Sequence, residues 1–169
     1  VAYLTGGGVR EPRLHEITMA LAGEMLALGG LASTAAAGQI RAEAVLANGQ
    51  AAEVFARMVA ALGGPVDFVD RPGVYLSPAP VIKPCTAQHS GHVVGMNARA
   101  VGMAVVALGG GRSHADDAID PAVGLSEMTD VGVPIRAGSP LCIVHAASEA
   151  DAEAAIALVR NAVRIGAVP

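Results

Sequence analysis

The sequence predicts a mixed α/β protein, in which a three-helix front segment is followed by a small mixed α/β unit. Between Leu14 and Leu62, apolar residues recur at the three- and four-residue spacing of amphipathic helices, in runs separated by glycines. Beyond Val81, short β-branched runs alternate with glycine and proline turns, which is typical of short strands. We therefore expect helices first and a compact unit of strands and helices after them.

The front segment, residues 1–70, is predicted to hold three helices. Pro12 suits the first turn of a helix because its missing N–H costs nothing there. Ser33 or Thr34 can cap the second helix, and Asn48-Gly49 separates it from the third. The first helix carries one apolar stripe: Leu14, Ile17, Leu21, Met25 and Leu28. Joined by such short loops, these helices are expected to pack on one another or on a neighbouring sheet.

The first residues are predicted to be the last turn of a helix. Val1-Ala2-Tyr3-Leu4 runs into Gly6-Gly7-Gly8, and glycine commonly ends a helix. Because a domain seldom starts inside an element, a fragment or a processed chain is expected.

Prolines are dense in residues 71–84, which we interpret as a connector to a C-terminal domain at residues 85–169. In and beyond this connector, strands are predicted around Val81-Ile82, Val93-Val94, Gly124-Leu125 and 135–144, and a buried helix from 98 to 108. Ser148 and Asp151 form a capping box for a last helix. Its predicted buried face is Ala152, Ala155, Ile156, Val159 and Val163, with Arg160 and Arg164 in the last turn.

Composition limits the classes of partner. The net charge is −4 over 169 residues, and Lys83 is the only lysine, so neither nucleic acid nor an anionic membrane is expected as a partner. No apolar stretch is long enough to cross a bilayer. Cys85 and Cys142 lie far apart in the sequence and suggest no disulfide framework. Buried free thiols in a reduced, cytoplasmic protein are expected.

Few residues suggest chemistry. The run Gly109–Ser113 could cradle an anion with backbone N–H groups, but no helix or lysine follows it as a phosphate loop requires, and a mobile surface loop is the alternative. His89 and His92 lack further ligands, so no metal is expected. His15 beside Glu16 could be a general base or part of a solvated polar face. The clustered carboxylates are read as solvated: Asp116, Asp117 and Asp120.

Residues 132–143 resemble the closing strands of biotinyl and lipoyl carrier domains, in which glycines turn paired short strands. This resemblance implies a barrel-sandwich, lipoyl-like shape. A carrier would need its lysine at a tight hairpin tip, and Lys83 lies in a strand-like run beside Pro84. We therefore expect the shape without the carrier role.

Several longer blocks, in the right order, resemble thymidine phosphorylases, the pyrimidine-nucleoside phosphorylase family. They are residues 12–14 (PRL) leading into 18–21 (TMAL) and 24–26 (EML), then 47–59 (ANGQAAEVFARMV), 99–112 (RAVGMAVVALGGGR), 120–124 and 140–145. The resemblance covers nearly the whole chain. It implies the C-terminal part of such an enzyme, including the family's C-terminal domain.

The resemblance implies reversible phosphorolysis, in which thymidine or deoxyuridine and inorganic phosphate give the free base and 2-deoxyribose 1-phosphate without a cofactor. The family's Lys-His-Ser-Thr-Gly-Gly phosphate segment does not occur here, so no catalytic, substrate-binding or metal residue is assigned and the chain alone is expected to be inactive. Gly110, Gly111, Arg112 and Ser113 are the candidates for a loop near the cleft. Nucleoside and phosphate would be bound by the missing N-terminal part, in a homodimeric enzyme.

Other functions stay open. One is a non-catalytic, lipoyl-like interaction or carrier module, which an adduct on Lys83 would support. Another is a small-anion binder that uses the glycine loop. A third is a nucleoside-monophosphate phosphorylase, and the residues do not distinguish thymidine from uridine preference.

Overall fold

The computed structural model describes residues 1–167, which divide into two compact units. The first unit is Val1–Tyr75 and the second begins at Leu76. This division falls inside the predicted connector 71–84, which also contains a helical turn and the start of the first strand. Each unit is described by itself below.

The elements of the first unit are α1 (Ala2–Thr5), α2 (Pro12–Leu28), α3 (Ala35–Ala47), α4 (Gln50–Ala61) and α5 (Pro72–Tyr75). The helical front segment is thus confirmed. Thr34, not Ser33, caps α3, because its side-chain oxygen accepts a hydrogen bond from the N–H of Ala37 at 3.2 Å. Gly6 ends α1 in the left-handed conformation, as predicted.

Helices α2 and α3 approach so closely that their backbones touch at two glycines. A Cβ atom on Gly23 would lie 2.6 Å from the carbonyl oxygen of Ala35, and one on Gly38 would lie 2.4 Å from that of Gly23. The small core beside this crossing consists of Met19, Ala42 and Leu46. The two helices can therefore lie this close because neither glycine carries a side chain.

All the aromatic residues of the chain lie in the first unit. The rings of Phe55 and Phe68 have their centroids 6.4 Å apart, and those of Phe68 and Tyr75 are 6.3 Å apart. Tyr3 lies on α1. No aromatic residue occurs after Tyr75, so the second unit must build its core from aliphatic side chains and cysteine.

The elements of the second unit are β1 (Val81–Thr86), β2 (Gly91–Met96), α6 (Ala98–Val105), a wider π-helical turn (Val106–Gly110), β3 (Gly124–Ser126), β4 (Pro134–Ile135), β5 (Pro140–Ala146), α7 (Glu149–Ala162) and β6 (Val163–Gly166). Two three-stranded antiparallel sheets result, with strand orders β1-β5-β3 and β4-β2-β6. The mixed α/β class is confirmed, whereas the barrel-sandwich shape stays a prediction.

One core serves both sheets and α7. Its fully buried side chains include Val93 of β2, Val144 of β5 and Val159 of α7. Ser148 caps α7 as predicted, since its hydroxyl oxygen accepts from the N–H of Asp151 at 3.2 Å. Ala152, Ala155 and Ile156 complete the buried face of this helix.

The end of the last helix was predicted wrongly. Val163 and Arg164 belong to strand β6, where they pair with Met96 and Gly95 of β2. Val163 and Ile165 are two residues apart, and both pack against the core, which is the period of a strand. β-Branched side chains favour an extended backbone, so the helix ends at Ala162 and the chain continues as a strand.

We predict that Gly23→Ala destabilises the first unit by about 2–3 kcal/mol, because an added methyl group cannot fit against the backbone of α3. Chemical denaturation followed by circular dichroism measures the change. Gly73→Ala is the matched control, since a Cβ at Gly73 meets no atom within 4 Å and its effect should stay within about 0.5 kcal/mol. Equal effects of the two substitutions would contradict the tight crossing.

Candidate functional site

The 109–120 loop follows α6 and contains the four candidate residues. Helix α6 widens into the π-helical turn, and Gly109 then takes a φ of 92°, which favours glycine. Gly110 approaches the backbone closely, since a Cβ there would lie 3.3 Å from the carbonyl oxygens of Val105 and Val123. These two glycines therefore let the chain leave the helix and turn into the loop.

Asp117 holds the loop together from within. Its Oδ2 atom accepts hydrogen bonds from the N–H groups of Ser113 at 2.9 Å and His114 at 2.8 Å. Arg112 donates from Nε to the carbonyl oxygen of Asp117 at 3.2 Å. The N–H of Asp120 donates to the carbonyl oxygen of Gly109 at 2.9 Å, which closes the base of the loop.

This geometry argues against an anion cradle formed by the loop alone. The glycines stand at the carboxyl end of a helix, where carbonyl groups concentrate partial negative charge. The N–H groups of Ser113 and His114 are already bound to the carboxylate of Asp117. An incoming anion would have to displace that carboxylate. Arg112 is exposed and, within residues 1–167, its terminal nitrogens make no hydrogen bond to the protein.

The structure separates the other titratable candidates. The Oδ1 atom of Asp120 accepts from the N–H of Ala122 at 2.9 Å, which is a turn contact, and Asp116 is exposed. His89 and His92 lie before and within β2. Within the described residues, no three histidine, cysteine or acidic side chains are grouped so that they could hold a metal ion.

Lys83 lies inside strand β1 and is paired with two carboxylates of α7. Its Nζ atom is 3.1 Å from Oε1 of Glu153 and also contacts Glu149. The hydrogen bond to Glu149, then that to Glu153, raises the pKa of the lysine. A carrier lysine must present a free amine at a hairpin tip, so neither the position nor the pairing of Lys83 suits that role.

Ser126 and His145 form a contact that sequence spacing does not reveal. Ser126 Oγ lies 2.8 Å from His145 Nε2, and the residues belong to neighbouring strands β3 and β5. Both are partly buried. Within residues 1–167, no carboxylate contacts His145, so the pair lacks the third group that orients the base in a catalytic triad. No sequence signal pointed to it, because the partners are 19 positions apart on different strands.

His15 is likewise held by distant partners. Its Nδ1 is 2.9 Å from the hydroxyl of Tyr3, and its Nε2 is 2.9 Å from Oε1 of Glu43. Both ring nitrogens are therefore engaged by elements α1 and α3. The carboxylate that His15 contacts is that of Glu43, not that of its sequence neighbour Glu16. His15 joins three helices and is not a free general base.

The predicted apolar stripe of α2 is exposed. Leu21 is 61% exposed, Met25 73% and Leu28 87%, and Leu14 and Ile17 are about half exposed. The opposite side of α2 packs on α3 through Met19 and Gly23. A helix that is apolar on two sides is typical of one that is covered on both. We call these five exposed residues of α2 the apolar face.

No helix within residues 1–167 is both long enough and apolar enough to cross a membrane.

Residues 92–166 match the family model of the pyrimidine nucleoside phosphorylase C-terminal domain. This match runs from β2 to β6 and includes the 109–120 loop. The second unit therefore combines a mixed α/β architecture with similarity to pyrimidine nucleoside phosphorylase C-terminal domains.

The similarity to named relatives extends over both units. The thymidine phosphorylase of Burkholderia cenocepacia (strain HI2424) is 51% identical over 166 residues, which is 98% of this chain. That of Mesorhizobium japonicum is 49% identical over 167 residues. The chain spans 38% of the length of either relative. The predicted resemblance to the thymidine phosphorylase family is therefore confirmed for the C-terminal part of these proteins.

Proposed function

We propose that this chain is the C-terminal part of a thymidine phosphorylase and supplies scaffold and one wall of the cleft. The observation that carries the proposal is 51% identity to a thymidine phosphorylase over 98% of the chain. In the complete enzyme, phosphate attacks the anomeric carbon of thymidine or deoxyuridine, and the free base leaves as 2-deoxyribose 1-phosphate forms. Inorganic phosphate is a co-substrate, and no cofactor takes part.

The groups that grip phosphate and base lie outside this chain. A phosphorylase must bind an anion beside the sugar and stabilise charge on the departing base. Here the only lysine of the sequence forms an ion pair with a glutamate of α7, and two N–H groups of the 109–120 loop donate to Asp117. Both observations favour a supporting role over a catalytic one.

Within that role, the 109–120 loop is the part closest to substrate. Gly110 helps to set its exit from the helix, Gly111 packs closely on Val106, and the N–H of Ser113 is bound by Asp117. Among residues 1–167, Arg112 is anchored through Nε alone, so the two terminal nitrogens of its guanidinium group can meet an anion in the closed cleft. This geometry supports an electrostatic contribution by Arg112, not a proton transfer.

The apolar face of α2 supports incorporation into a longer polypeptide. The relatives are more than twice the length of this chain, so their unmatched part is long enough to provide a covering surface. Covering a Leu or Met side chain stabilises a protein by about 1.5–3 kcal/mol. We therefore assign the apolar face to the seam with the remainder of the phosphorylase.

Two further properties belong to the proposal. The complete enzyme acts in the cytoplasm, in keeping with its free, buried thiols. It is a homodimer that binds no nucleic acid, consistent with a net charge of −4 on this part.

The function is tested with a chimera in which these 169 residues replace the matched part of the Burkholderia cenocepacia relative. We expect the chimera to convert thymidine and phosphate into thymine, and the 169-residue chain alone to release none. Chromatography of released thymine measures both, with the unaltered relative as the control. Phosphorolysis by the chain alone would refute the proposal, and so would an inactive chimera that folds and dimerises.

We predict that Arg112→Ala in the chimera lowers kcat/KM for phosphate by about tenfold, because one charge-assisted hydrogen bond is lost. Steady-state kinetics at varied phosphate concentration give the ratio. Arg136→Ala is the matched control, since Arg136 is also exposed but lies outside the 109–120 loop. Unchanged kinetics for Arg112→Ala would remove the residue from the cleft.

We predict that Leu21→Glu lowers the free energy of unfolding only slightly in the isolated chain but by about 3 kcal/mol in the chimera, where the charge would be buried. Denaturation of both proteins gives the two free energies of unfolding. Glu16→Gln, at an exposed position of α2 outside the apolar face, is the control and should change the free energy of unfolding little in either protein. A small effect of Leu21→Glu in the chimera would show that the apolar face remains exposed.

A further inference from the structure

Cys85 and Cys142, which the phosphorylase chemistry does not use, lie directly opposite one another. They are Cα partners in the antiparallel pair of β1 and β5. Opposed residues of such a pair have Cα atoms about 4.5 or 5.5 Å apart, and their side chains share one face. Disulfides need a Cα separation of about 4.4–6.8 Å. A bond between these two sulfurs therefore requires no change of strand register.

The two thiols form a polarised pair. A hydrogen bond to Cys85, together with burial, raises the pKa of Cys142. The same hydrogen bond lowers the pKa of Cys85, and the charge of Arg160 acts in the same direction. The Cys85 thiol also lies 3.7 Å from the carbonyl oxygen of Ile156. Arg160 also donates to the carbonyl oxygen and the hydroxyl of Thr86, the neighbour of Cys85, so its charge stands on the Cys85 side of the pair and we assign the first attack to Cys85.

The burial of the two cysteines limits which oxidants can reach them. Both side chains are fully buried. A cavity of about 90 Å³ is lined by Leu141 and Arg160, but neither cysteine borders it. Because both thiols are enclosed by the core, a small uncharged oxidant such as hydrogen peroxide suits this pair, whereas a disulfide such as oxidised glutathione is too large to reach it. The register of β1 also shifts between Cys85 and Thr86, so the edge strand is irregular at this point.

We propose that Cys85 and Cys142 are a redox modification site, at which hydrogen peroxide joins β1 to β5 by a reversible disulfide. The sulfur of Cys85 attacks one peroxide oxygen, the O–O bond breaks, and Cys85 sulfenic acid and water form. The sulfur of Cys142 then attacks that of Cys85, the S–O bond breaks, and a second water leaves. Two thiols are oxidised and one peroxide is reduced to two waters.

The resulting bond would hold the edge strand β1 on β5. A cross-link between residues far apart in the sequence restricts the unfolded chain, so the oxidised protein should resist unfolding more than the reduced one. Thiol reductants reverse the change, as they do for other disulfides.

The test treats the reduced 169-residue chain with hydrogen peroxide, then alkylates it in denaturant and measures its mass. We expect the mass to fall by two hydrogen atoms, with neither cysteine alkylated and a peptide that links Cys85 to Cys142. Dithiothreitol should restore both thiols, and the melting temperature should be higher before that reduction. Because the readout is a mass, it does not depend on phosphorolysis.

Variants separate the two roles. In Cys142→Ser, dimedone should trap a sulfenic acid on Cys85, whereas in Cys85→Ser the remaining Cys142 should react at least about fivefold more slowly. Arg160→Gln should slow disulfide formation, and Arg164→Gln on β6 should not. Circular dichroism first confirms that each variant is folded, and alanine replaces serine where it is not. Two thiols that remain alkylatable, cysteines oxidised beyond sulfenic acid without a disulfide, or a disulfide between two chains would each overturn the proposal.

Discussion

Close approach of backbones, made possible by small side chains, is the constraint on which both units depend. In the first unit, two glycines let α2 and α3 touch. In the second, no aromatic side chain is present, and alanines and cysteines fill much of the space between α7 and the sheets. Small side chains leave little freedom to adjust, because each lost or added methyl group is felt directly. A core of this kind holds its elements at short distances, and so it fixes the base of the 109–120 loop firmly.

Much of this fold can be predicted from the sequence, where the signals are local. Capping by Thr34 and Ser148 follows from side-chain chemistry within one helical turn, and so do the glycine stops at Gly6 and Gly109. Strand β6 could not be predicted in the same way. Val163 continues the apolar spacing of α7, and only its pairing with β2 decides that it is a strand residue. At Val163, the helical spacing of apolar residues predicts a helix and the propensity of valine predicts a strand, and the pairing with β2 decides between them.

The same division holds for the site. The glycines of the 109–120 loop are visible in the sequence. The sequence nevertheless predicts a solvated side chain for Asp117, whose carboxylate in fact binds two N–H groups of the loop. The contacts of Ser126 with His145 and of His15 with Glu43 join residues that only the folded chain brings together. So does the pairing of Cys85 with Cys142, which are far apart in sequence and opposite in register. Contacts across strands and helices carry no local signature, which is why sequence reasoning does not reach them.

The confinement of every aromatic ring to the first unit has an optical consequence. Tyr3 and Tyr75 are the only strong near-ultraviolet chromophores of the chain, which contains no tryptophan. Tyrosine emission therefore reports on Val1–Tyr75 alone, whereas the far-ultraviolet signal sums the helices of both units. Recorded together in one melt, the two signals show whether the halves of this polypeptide come apart as one body or one after the other, with no label added.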